Sequence, residues 1–173
     1  MLPQIDSKTA QAINMILDQR NPIAFLGMGL MGTRMAARLL QAGYSVAVWN
    51  RNPLACEALI QQGATALTLE EIGKYPVILT CLADDQAVQS VFNQLQPHLK
   101  AQQIIVDFSS LSVAATQQLA ATAQQQRVIW IDSPVSGGTT GAEQGTLVIF
   151  AGGDAETIQQ LEPIYSVLSQ RVT

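Results

Sequence analysis

The chain has 173 residues, of which 48% are hydrophobic and 13% charged, and its formal net charge is −4. This length suits one domain with a sizeable core, and the composition is not that of a disordered chain. The acidic balance, without a run of Lys or Arg, argues against a surface for nucleic acid or an anionic membrane. No segment resembles a signal peptide or a membrane-spanning helix, so we expect a cytoplasmic protein.

The first helical pattern covers residues 7–19, where Ala10, Ile13, Ile16 and Leu17 recur at helical spacing before Asn21-Pro22. We interpret residues 1–21 as an added amphipathic helix and residues 22–173 as one domain.

From Ile23 onwards, short apolar segments alternate with longer helical patterns. The apolar segments are residues 23–27, 45–49, 76–80, 103–108, 127–131 and 146–153. Strands that alternate with crossover helices predict an α/β fold with a doubly wound, mainly parallel Rossmann-type sheet and helices on both faces. The final helical pattern, residues 154–170, predicts one helix.

The first strand leads into a glycine-rich G-x-G-x-x-G sequence that opens a helix, the arrangement of a dinucleotide-binding turn. Its residues are Gly27, Met28, Gly29, Leu30, Met31 and Gly32. The first glycine permits the tight turn, the second lets the main chain approach a pyrophosphate, and the third allows close packing of helix and strand. We expect all six residues to bind a cofactor. The alternative is that the glycines only turn the chain.

The second strand ends at Asn50-Arg51, the position that selects between NAD and NADP. An acidic residue here would bind a free ribose 2′-hydroxyl and repel a 2′-phosphate. Arg51 can instead pair with the phosphate and stack on adenine, and Asn50 can donate to a phosphate oxygen. The sequence therefore predicts NADP (NADPH) rather than NAD, unless Arg51 is only a solvated loop residue.

The segment DSPVSGG, residues 132–138, is the most specific in the chain. Together with GMGLMGTRMA it resembles the β-hydroxyacid dehydrogenase family, and the resemblance extends from Ile23 to the end. It implies that Ser136, Gly137 and Gly138 contact a substrate carboxylate, for which a hydroxyl and free amides are suited. A Gly-Gly turn without a ligand is the alternative.

Two more strand ends match cofactor contacts of that family. The resemblance implies that Cys81, Leu82 and Ala83 lie near the nicotinamide half, although the family often has a proline at the position of Ala83. Ser109 and Ser110 are similarly placed near the nicotinamide ribose or carboxamide. Both serines have an alternative role as strand-end caps. We also expect the carboxylates of Asp84 and Asp85 to cap the helix that they open.

The resemblance further implies a catalytic lysine on a C-terminal helical domain. We expect that lysine to lie beyond Thr173, the last residue, and so to be absent from this chain. Lys8, Lys74 and Lys100 match no such position. We therefore expect no catalytic residue within the chain, and an NADP-binding domain that is not catalytically complete by itself. It would take a small carboxylate substrate if a catalytic domain is supplied.

Two other classes of protein share part of this pattern. The alternative function is a stand-alone, non-catalytic NADP(H)-binding or sensing module, which would share every cofactor feature. A methyltransferase is disfavoured, because it would need an acidic residue in place of Asn50-Arg51.

The remaining expectations concern metals and assembly. Cys56, Cys81 and His98 have no metal-ligand spacing, so we expect reduced, buried thiols and no metal site. We expect His98 to be solvated or capping. The final helix should expose an apolar patch of Leu161, Ile164, Tyr165 and Leu168. Such a patch, covered by the N-terminal helix of the same chain or of a symmetry mate, predicts a homodimer.

Overall fold

The computed structural model describes residues 21–173, so the helix predicted at residues 7–19 lies outside the described part of the chain. The main sheet consists of β1 (Ile23–Leu26), β2 (Val46–Trp49), β3 (Thr65–Ala66), β4 (Val77–Thr80), β5 (Ile104–Asp107) and β6 (Ile129–Asp132). Its strands pair in the order β3-β2-β1-β4-β5-β6, and every pairing is parallel. This is the strand order of a Rossmann domain, which confirms the predicted fold class.

Helices cover both faces of this sheet. They are α1 (Leu30–Gln41), α2 (Glu57–Gln61), α3 (Asp85–Leu95), α4 (Val113–Gln125), α5 (Gly138–Gln144), α6 (Ala155–Gln160) and α7 (Glu162–Leu168). Short 3-10 helices cover Pro53–Cys56, Leu69–Lys74 and Gln96–His98. Alternate residues of β1 enter opposite cores: Phe25 packs with α1 and α7, and Leu26 packs with α3 and α4. Because both faces of β1 are buried, its sequence is continuously apolar.

A second, smaller sheet follows the main one. Its strands are β7 (Val135–Ser136), β8 (Leu147–Ile149) and β9 (Ser169–Val172), in that order. β8 corresponds to the predicted segment 146–153, but it pairs with β7 and β9 instead of extending the main sheet. The link from β6 to β7 is only Ser133-Pro134, and a parallel crossover needs a dozen or more residues. The chain therefore starts a new sheet at β7.

The final helical pattern differs from its prediction in two ways. It is divided at Leu161 into α6 and α7, and Pro163 lies in the first turn of α7, where a missing N–H is tolerated. The apolar residues of this region are buried, with Leu161, Ile164 and Leu168 at 0% exposure and Tyr165 at 1%. The ring of Tyr165 packs edge-on against Phe108. The predicted exposed patch is therefore wrong, and the expected homodimer loses that support.

Across residues 21–173, no helix combines the length and apolar character needed to cross a membrane.

Candidate functional site

A cleft of about 760 Å³ lies at the carboxyl ends of β1, β2 and β4. The chain proceeds from β1 to β2 on one side and returns to β4 on the other, so this is the point where the strand order reverses. Ligands of open α/β sheets bind at such points. The predicted cofactor residues that line the cleft are Gly27, Gly29, Leu30, Met31, Gly32, Asn50, Arg51, Cys81, Leu82 and Ala83.

The three glycines of the turn have different surroundings. Gly27 has a φ of +103°, and a Cβ there would lie 2.1 Å from the carbonyl oxygen of Cys81. A Cβ on Gly32 would lie 1.9 Å from the carbonyl oxygen of Gly27. A Cβ on Gly29 would meet nothing within 4 Å. Gly27 and Gly32 are therefore required for packing within the turn, whereas Gly29 leaves space in the cleft.

The N-terminus of α1 begins directly at this space. Gly29 is its N-cap residue, and no side chain caps it. The first N–H groups of a helix have no acceptor within the helix, and they carry partial positive charge. This end of α1 can therefore bind an anionic group that enters beside Gly29.

Met28 and Asn50 join the glycine turn to the end of β2. The Met28 side chain is buried in the core, and its N–H donates to Asn50 Oδ1 at 2.9 Å. Asn50 Nδ2 donates to the carbonyl oxygen of Asn52, also at 2.9 Å. Both polar atoms of the Asn50 side chain thus bond within the chain, and Nδ2 keeps one hydrogen for the phosphate contact that we predicted.

Arg51 lies at the outer end of the cleft and is exposed. It lines both this cleft and an adjoining one of about 530 Å³, as do Trp49 and Gln94. Within residues 21–173, its guanidinium forms no hydrogen bond or ion pair. By contrast, Arg38 donates to the carbonyl oxygens of Val167 and Glu143. Arg51 is therefore available to bind an anion at the mouth of the cleft.

Ser109 and Ser110 do not line the cleft, and they differ from each other. Ser110 is exposed, but Ser109 is 2% exposed. Ser109 Oγ accepts a hydrogen bond from the Leu82 N–H at 2.9 Å and donates to Asp107 Oδ1 at 2.7 Å. Both bonding directions of the Ser109 hydroxyl are thus used to hold the loop after β4.

Burial changes the acidity of two groups beside this loop. Burial raises the pKa of Asp107 from 3.8 to about 6, opposed by hydrogen bonds from Thr80 and Ser109. Burial, reinforced by the Asp107 carboxylate, also raises the pKa of the Cys81 thiol to about 12. Because thiolate is the reactive form of cysteine, Cys81 acts in the cleft as a small apolar side chain.

The three residues predicted to bind substrate lie outside the lining of the cleft. Ser136 ends β7, and Gly137 and Gly138 follow with φ values of +132° and +63°. All three are exposed. Gly138 begins α5, which packs beside α1. Their predicted role therefore requires a ligand surface next to the cleft and not within it.

One face of α3 contributes residues to the cleft that were not predicted from the sequence. Gln86, Ser90 and Gln94 line the cleft, together with Ala87 and Val91. Their four-residue spacing would have identified a common helix face. It would not have identified the direction of that face, which depends on how α3 packs on the sheet.

The two acidic residues at the start of α3 have separate partners. Asp84 Oδ1 accepts from the Ala87 N–H at 2.8 Å, which confirms its predicted role as a helix cap. Asp85 instead accepts hydrogen bonds from the N–H and hydroxyl of Ser112, the N-cap residue of α4. The prediction that Asp85 caps its own helix is therefore wrong.

The described residues contain no group of His, Cys, Asp and Glu side chains that could hold a metal ion. Cys56 and Cys81 are both free thiols, the first buried and the second partly buried. Lys74 bonds Glu71 at 3.0 Å, and neither Lys74 nor Lys100 lines either cleft.

Thr173 continues the pairing of the small sheet just past β9. Its N–H donates to the carbonyl oxygen of Ile149 at 2.9 Å, and its carbonyl oxygen accepts from the Ala151 N–H at 2.8 Å. Thr173 is exposed and lines neither cleft. A catalytic lysine beyond Thr173 stays a prediction, and we assign no catalytic role to any residue of the described part of the chain.

The strand order, the open glycine turn and the uncapped helix at the switch point define a Rossmann-type dinucleotide-binding domain. Residues 22–173 match the profile of a family described as the NAD-binding domain of 6-phosphogluconate dehydrogenase. The chain therefore belongs to this family, as an NAD(P)-binding domain of the β-hydroxyacid dehydrogenase type. This confirms the resemblance of the sequence motifs.

Two curated relatives illustrate the similarity. The NAD-dependent L-serine dehydrogenase of Pseudomonas aeruginosa is 30% identical over 155 residues, and the match covers 87% of this chain and 52% of the relative. The 2-hydroxy-3-oxopropionate reductase of Escherichia coli is 31% identical over 156 residues, and the match covers 87% of this chain and 53% of the relative. The chain thus spans about half the length of these relatives.

Solved structures agree with this assignment. The 3-hydroxyisobutyrate dehydrogenase of Mycobacterium tuberculosis, solved with L-serine, has a TM-score of 0.84 at 28% identity; the match covers 88% of this chain and 53% of that one. Psf3, solved with NADP+ and 2-OPP, has a TM-score of 0.82 at 31% identity, with coverage of 87% and 55%.

Proposed function

We propose that this chain is the NADP(H)-binding part of an oxidoreductase that acts on a small hydroxy acid or semialdehyde. The observation that carries the choice of NADP is Arg51, which lines the cleft and whose guanidinium has no hydrogen bond or ion pair within residues 21–173. An acidic residue would stand there in a domain that binds the ribose hydroxyls of NAD.

The residues of the cleft fit such a cofactor. The open space at Gly29 and the uncapped start of α1 would hold the pyrophosphate, and Arg51 beyond β2 would hold the 2′-phosphate. The nicotinamide half would then extend past β1 towards the loops after β4 and β5. When bound, the nicotinamide supplies or accepts the hydride of the reaction.

The relatives do not decide between the two cofactors, because one is named NAD-dependent and a structural neighbour holds NADP+. The preference therefore rests on the charge of Arg51. Hydrogen bonds to charged groups contribute about 1.5 to 3 kcal/mol each, so one contact with the 2′-phosphate favours NADPH by roughly 10- to 100-fold.

A fluorescence titration with NADPH and NADH tests this preference. Trp49 lines both clefts, so its emission should report binding. We expect Arg51→Ala to weaken NADPH binding by roughly 10- to 100-fold and to leave NADH affinity nearly unchanged, because only NADPH carries the 2′-phosphate.

Arg171→Ala is the matched control, because Arg171 is an exposed arginine on β9 that lines neither cleft, and its loss changes the net charge equally. It should leave both affinities unchanged. Equal affinity of the wild type for NADPH and NADH, or an equal effect of the two substitutions, would refute the proposed preference.

The substrate class follows from the segment after β7. The Ser136 hydroxyl and the exposed main chain of Gly137 and Gly138 suit a carboxylate. We therefore propose a small carboxylate substrate when a catalytic domain is supplied. Relatives named for L-serine and 2-hydroxy-3-oxopropionate are consistent with this size.

For the 173-residue polypeptide by itself, we expect NADPH binding without appreciable turnover. Reduction of a carbonyl needs a proton donor near the developing alkoxide, and no lysine of the described residues lines either cleft. This observation also favours the second candidate function, a non-catalytic NADP(H)-binding or sensing module. NADPH oxidation with glyoxylate and small semialdehydes is the assay; turnover near ~1 per second would contradict the expectation.

We further propose a cytoplasmic location, supported by the free thiols of Cys56 and Cys81, which suit a reducing compartment. A homodimer also stays a proposal. Light scattering of the purified chain tests it.

A further inference from the structure

A chain of buried hydrogen bonds links the carboxyl ends of β4 and β5. Thr80 Oγ1 and Ser109 Oγ both donate to Asp107 Oδ1, at 2.6 and 2.7 Å, and the Ser109 N–H approaches the same oxygen at 3.3 Å. The three side chains are at most 3% exposed. Ser109 Oγ also accepts from the Leu82 N–H. The main chain of the loop after β4 is thus connected to a carboxyl group that water does not reach.

A carboxyl group is unfavourable at the buried position of Asp107 unless it has a structural or functional role. It is 0% exposed, and its Oδ2 has no hydrogen-bond partner among the described residues. Its neighbours do not compensate its charge, because Asp132 adds like charge and Cys81 bears a neutral thiol. Buried polar atoms are usually paired, and an unpaired one costs about 1 to 3 kcal/mol. The carboxyl group brings three donors together, because Oδ1 accepts from the Thr80 hydroxyl, the Ser109 hydroxyl and the Ser109 N–H.

The same loop has a second connection nearer the surface. The N–H and hydroxyl of Ser112 both donate to the Asp85 carboxylate. The loop after β4 is therefore attached at Leu82 and at Asp85 to the loop after β5. The residues between these points, Ala83 and Asp84, are exposed and line the cleft. The lining of this part of the cleft thus depends on contacts made behind it.

We propose that Asp107 is a positioning residue for cofactor binding: through Ser109 it fixes the main chain at Leu82, and so shapes the wall of the cleft that faces the nicotinamide half. This inference rests on the proposed NADP(H) function. It assigns Ser109 an indirect role through Leu82.

The test compares two ligands that reach different distances into the cleft. NADPH spans the whole dinucleotide site, whereas 2′,5′-ADP carries only the adenosine half with its 2′-phosphate. Thr80→Val and Ser109→Ala each remove a hydroxyl donor to Oδ1, and Asp107→Ala removes the acceptor. We expect each to lower NADPH affinity roughly tenfold, as expected for loss of a buried hydrogen bond. Affinity for 2′,5′-ADP should change by less than about twofold, since the substituted groups lie away from that end.

Two further variants separate positioning from stability. Thr80→Ser keeps the hydroxyl and should retain NADPH affinity. Thr157→Val is the matched control for Thr80→Val. Thr157 is 0% exposed, against 3% for Thr80, and its hydroxyl also donates to a carboxylate, that of Asp154, at 2.8 Å and outside both clefts. This substitution should lower the melting temperature without changing either affinity. If Asp107→Ala fails to fold, the comparison of Thr80→Val with Thr80→Ser decides the question.

A selective loss of NADPH affinity, restored in Thr80→Ser, supports the inference. Equal losses for NADPH and 2′,5′-ADP, or no loss for either, overturn it while leaving the proposed function intact. If the wild-type chain binds neither ligand, the proposed function itself fails, and the inference fails with it.

Discussion

The two halves of the cleft are built in different ways. In the glycine turn, the free N–H groups at the start of α1 belong to the main chain, and Gly27, Gly29 and Gly32 shape the turn within a few residues of sequence. In the loop after β4, the main chain at Leu82 is held by Ser109, which is 27 positions away in the sequence. An anion site can thus be encoded locally, because it uses the free amides of one helix end. The opposite wall depends on hydrogen bonds between strands.

The glycine turn offers the largest expected effect. Gly29→Val should lower the affinity for both NADPH and NADH by more than about 100-fold, because the new side chain would occupy the pyrophosphate space. The fold should be retained, since a Cβ at this position meets no atom within 4 Å. Tryptophan fluorescence measures binding, and circular dichroism measures the fold.

Gly152→Val is the control for this substitution. Gly152 also has open space around a Cβ, and it lines neither cleft. It should bind NADPH as the wild type does. If Gly29→Val retained near-normal affinity, the glycine turn would not be the phosphate site.

The second expected effect is on stability, and it distinguishes Gly32, which has no room for a Cβ, from Gly29, which has room. Gly32→Ala should destabilise the fold by about 1 to 3 kcal/mol, as overpacking does, because its Cβ would lie 1.9 Å from a main-chain oxygen of Gly27. Urea unfolding measures the free energy of unfolding. A fully stable Gly32→Ala protein would show that the turn can shift to make room for a side chain. The packing at Gly32 would then not require glycine.

The buried carboxyl group predicts a pH dependence that the glycine turn lacks. Because burial raises the pKa of Asp107 from 3.8 to about 6, its folded state binds a proton more tightly than its unfolded state. Its contribution to stability is therefore complete below about pH 4 and is lost as the pH rises through about 6. Relative to Asp107→Asn, the wild type should lose on the order of 2 to 3 kcal/mol across this interval.

Urea unfolding of both proteins between about pH 4 and 7 measures this difference. The pKa of Glu71 is lowered, mainly by its hydrogen bond from Lys74, so its contribution is lost in the opposite direction, as the pH falls. That contribution is common to both proteins and cancels in the comparison. Parallel stability curves would show that Asp107 does not titrate in this interval.

The smallest expected effect concerns the surface connection of the same loop. Asp85→Asn should change NADPH affinity by no more than about twofold, because exposed hydrogen bonds are readily replaced by water. Hydrogen bonds from Ser112 lower the pKa of Asp85, so its contribution to stability should be present at neutral pH and lost as the pH falls. A loss of affinity as large as that of Thr80→Val would assign the positioning of the loop to Asp85 instead.

The sequence alone determined the class of fold and the glycine turn, and it predicted Arg51 as a cofactor-selecting residue. Continuous apolar segments such as Ile23–Leu26 mark strands that are buried on both faces, and the spacing of the glycines reflects steric needs within one turn. Each of these signals is contained in a short stretch of chain. That is why the match of residues 22–173 to an NAD-binding family could be anticipated from the motifs.

Only the tertiary structure decided that β8 belongs to a second sheet, that Tyr165 is buried, and that Asp85 bonds Ser112. The same is true of the hydrogen bond from Thr80 to Asp107. These residues are neighbours because β4 and β5 pair in a register that places Thr80 opposite Asp107. Propensity and periodicity indicate which side chains of a segment are buried, but they do not indicate which strand pairs with it. Partners distant in sequence therefore became visible only when the strands were assembled.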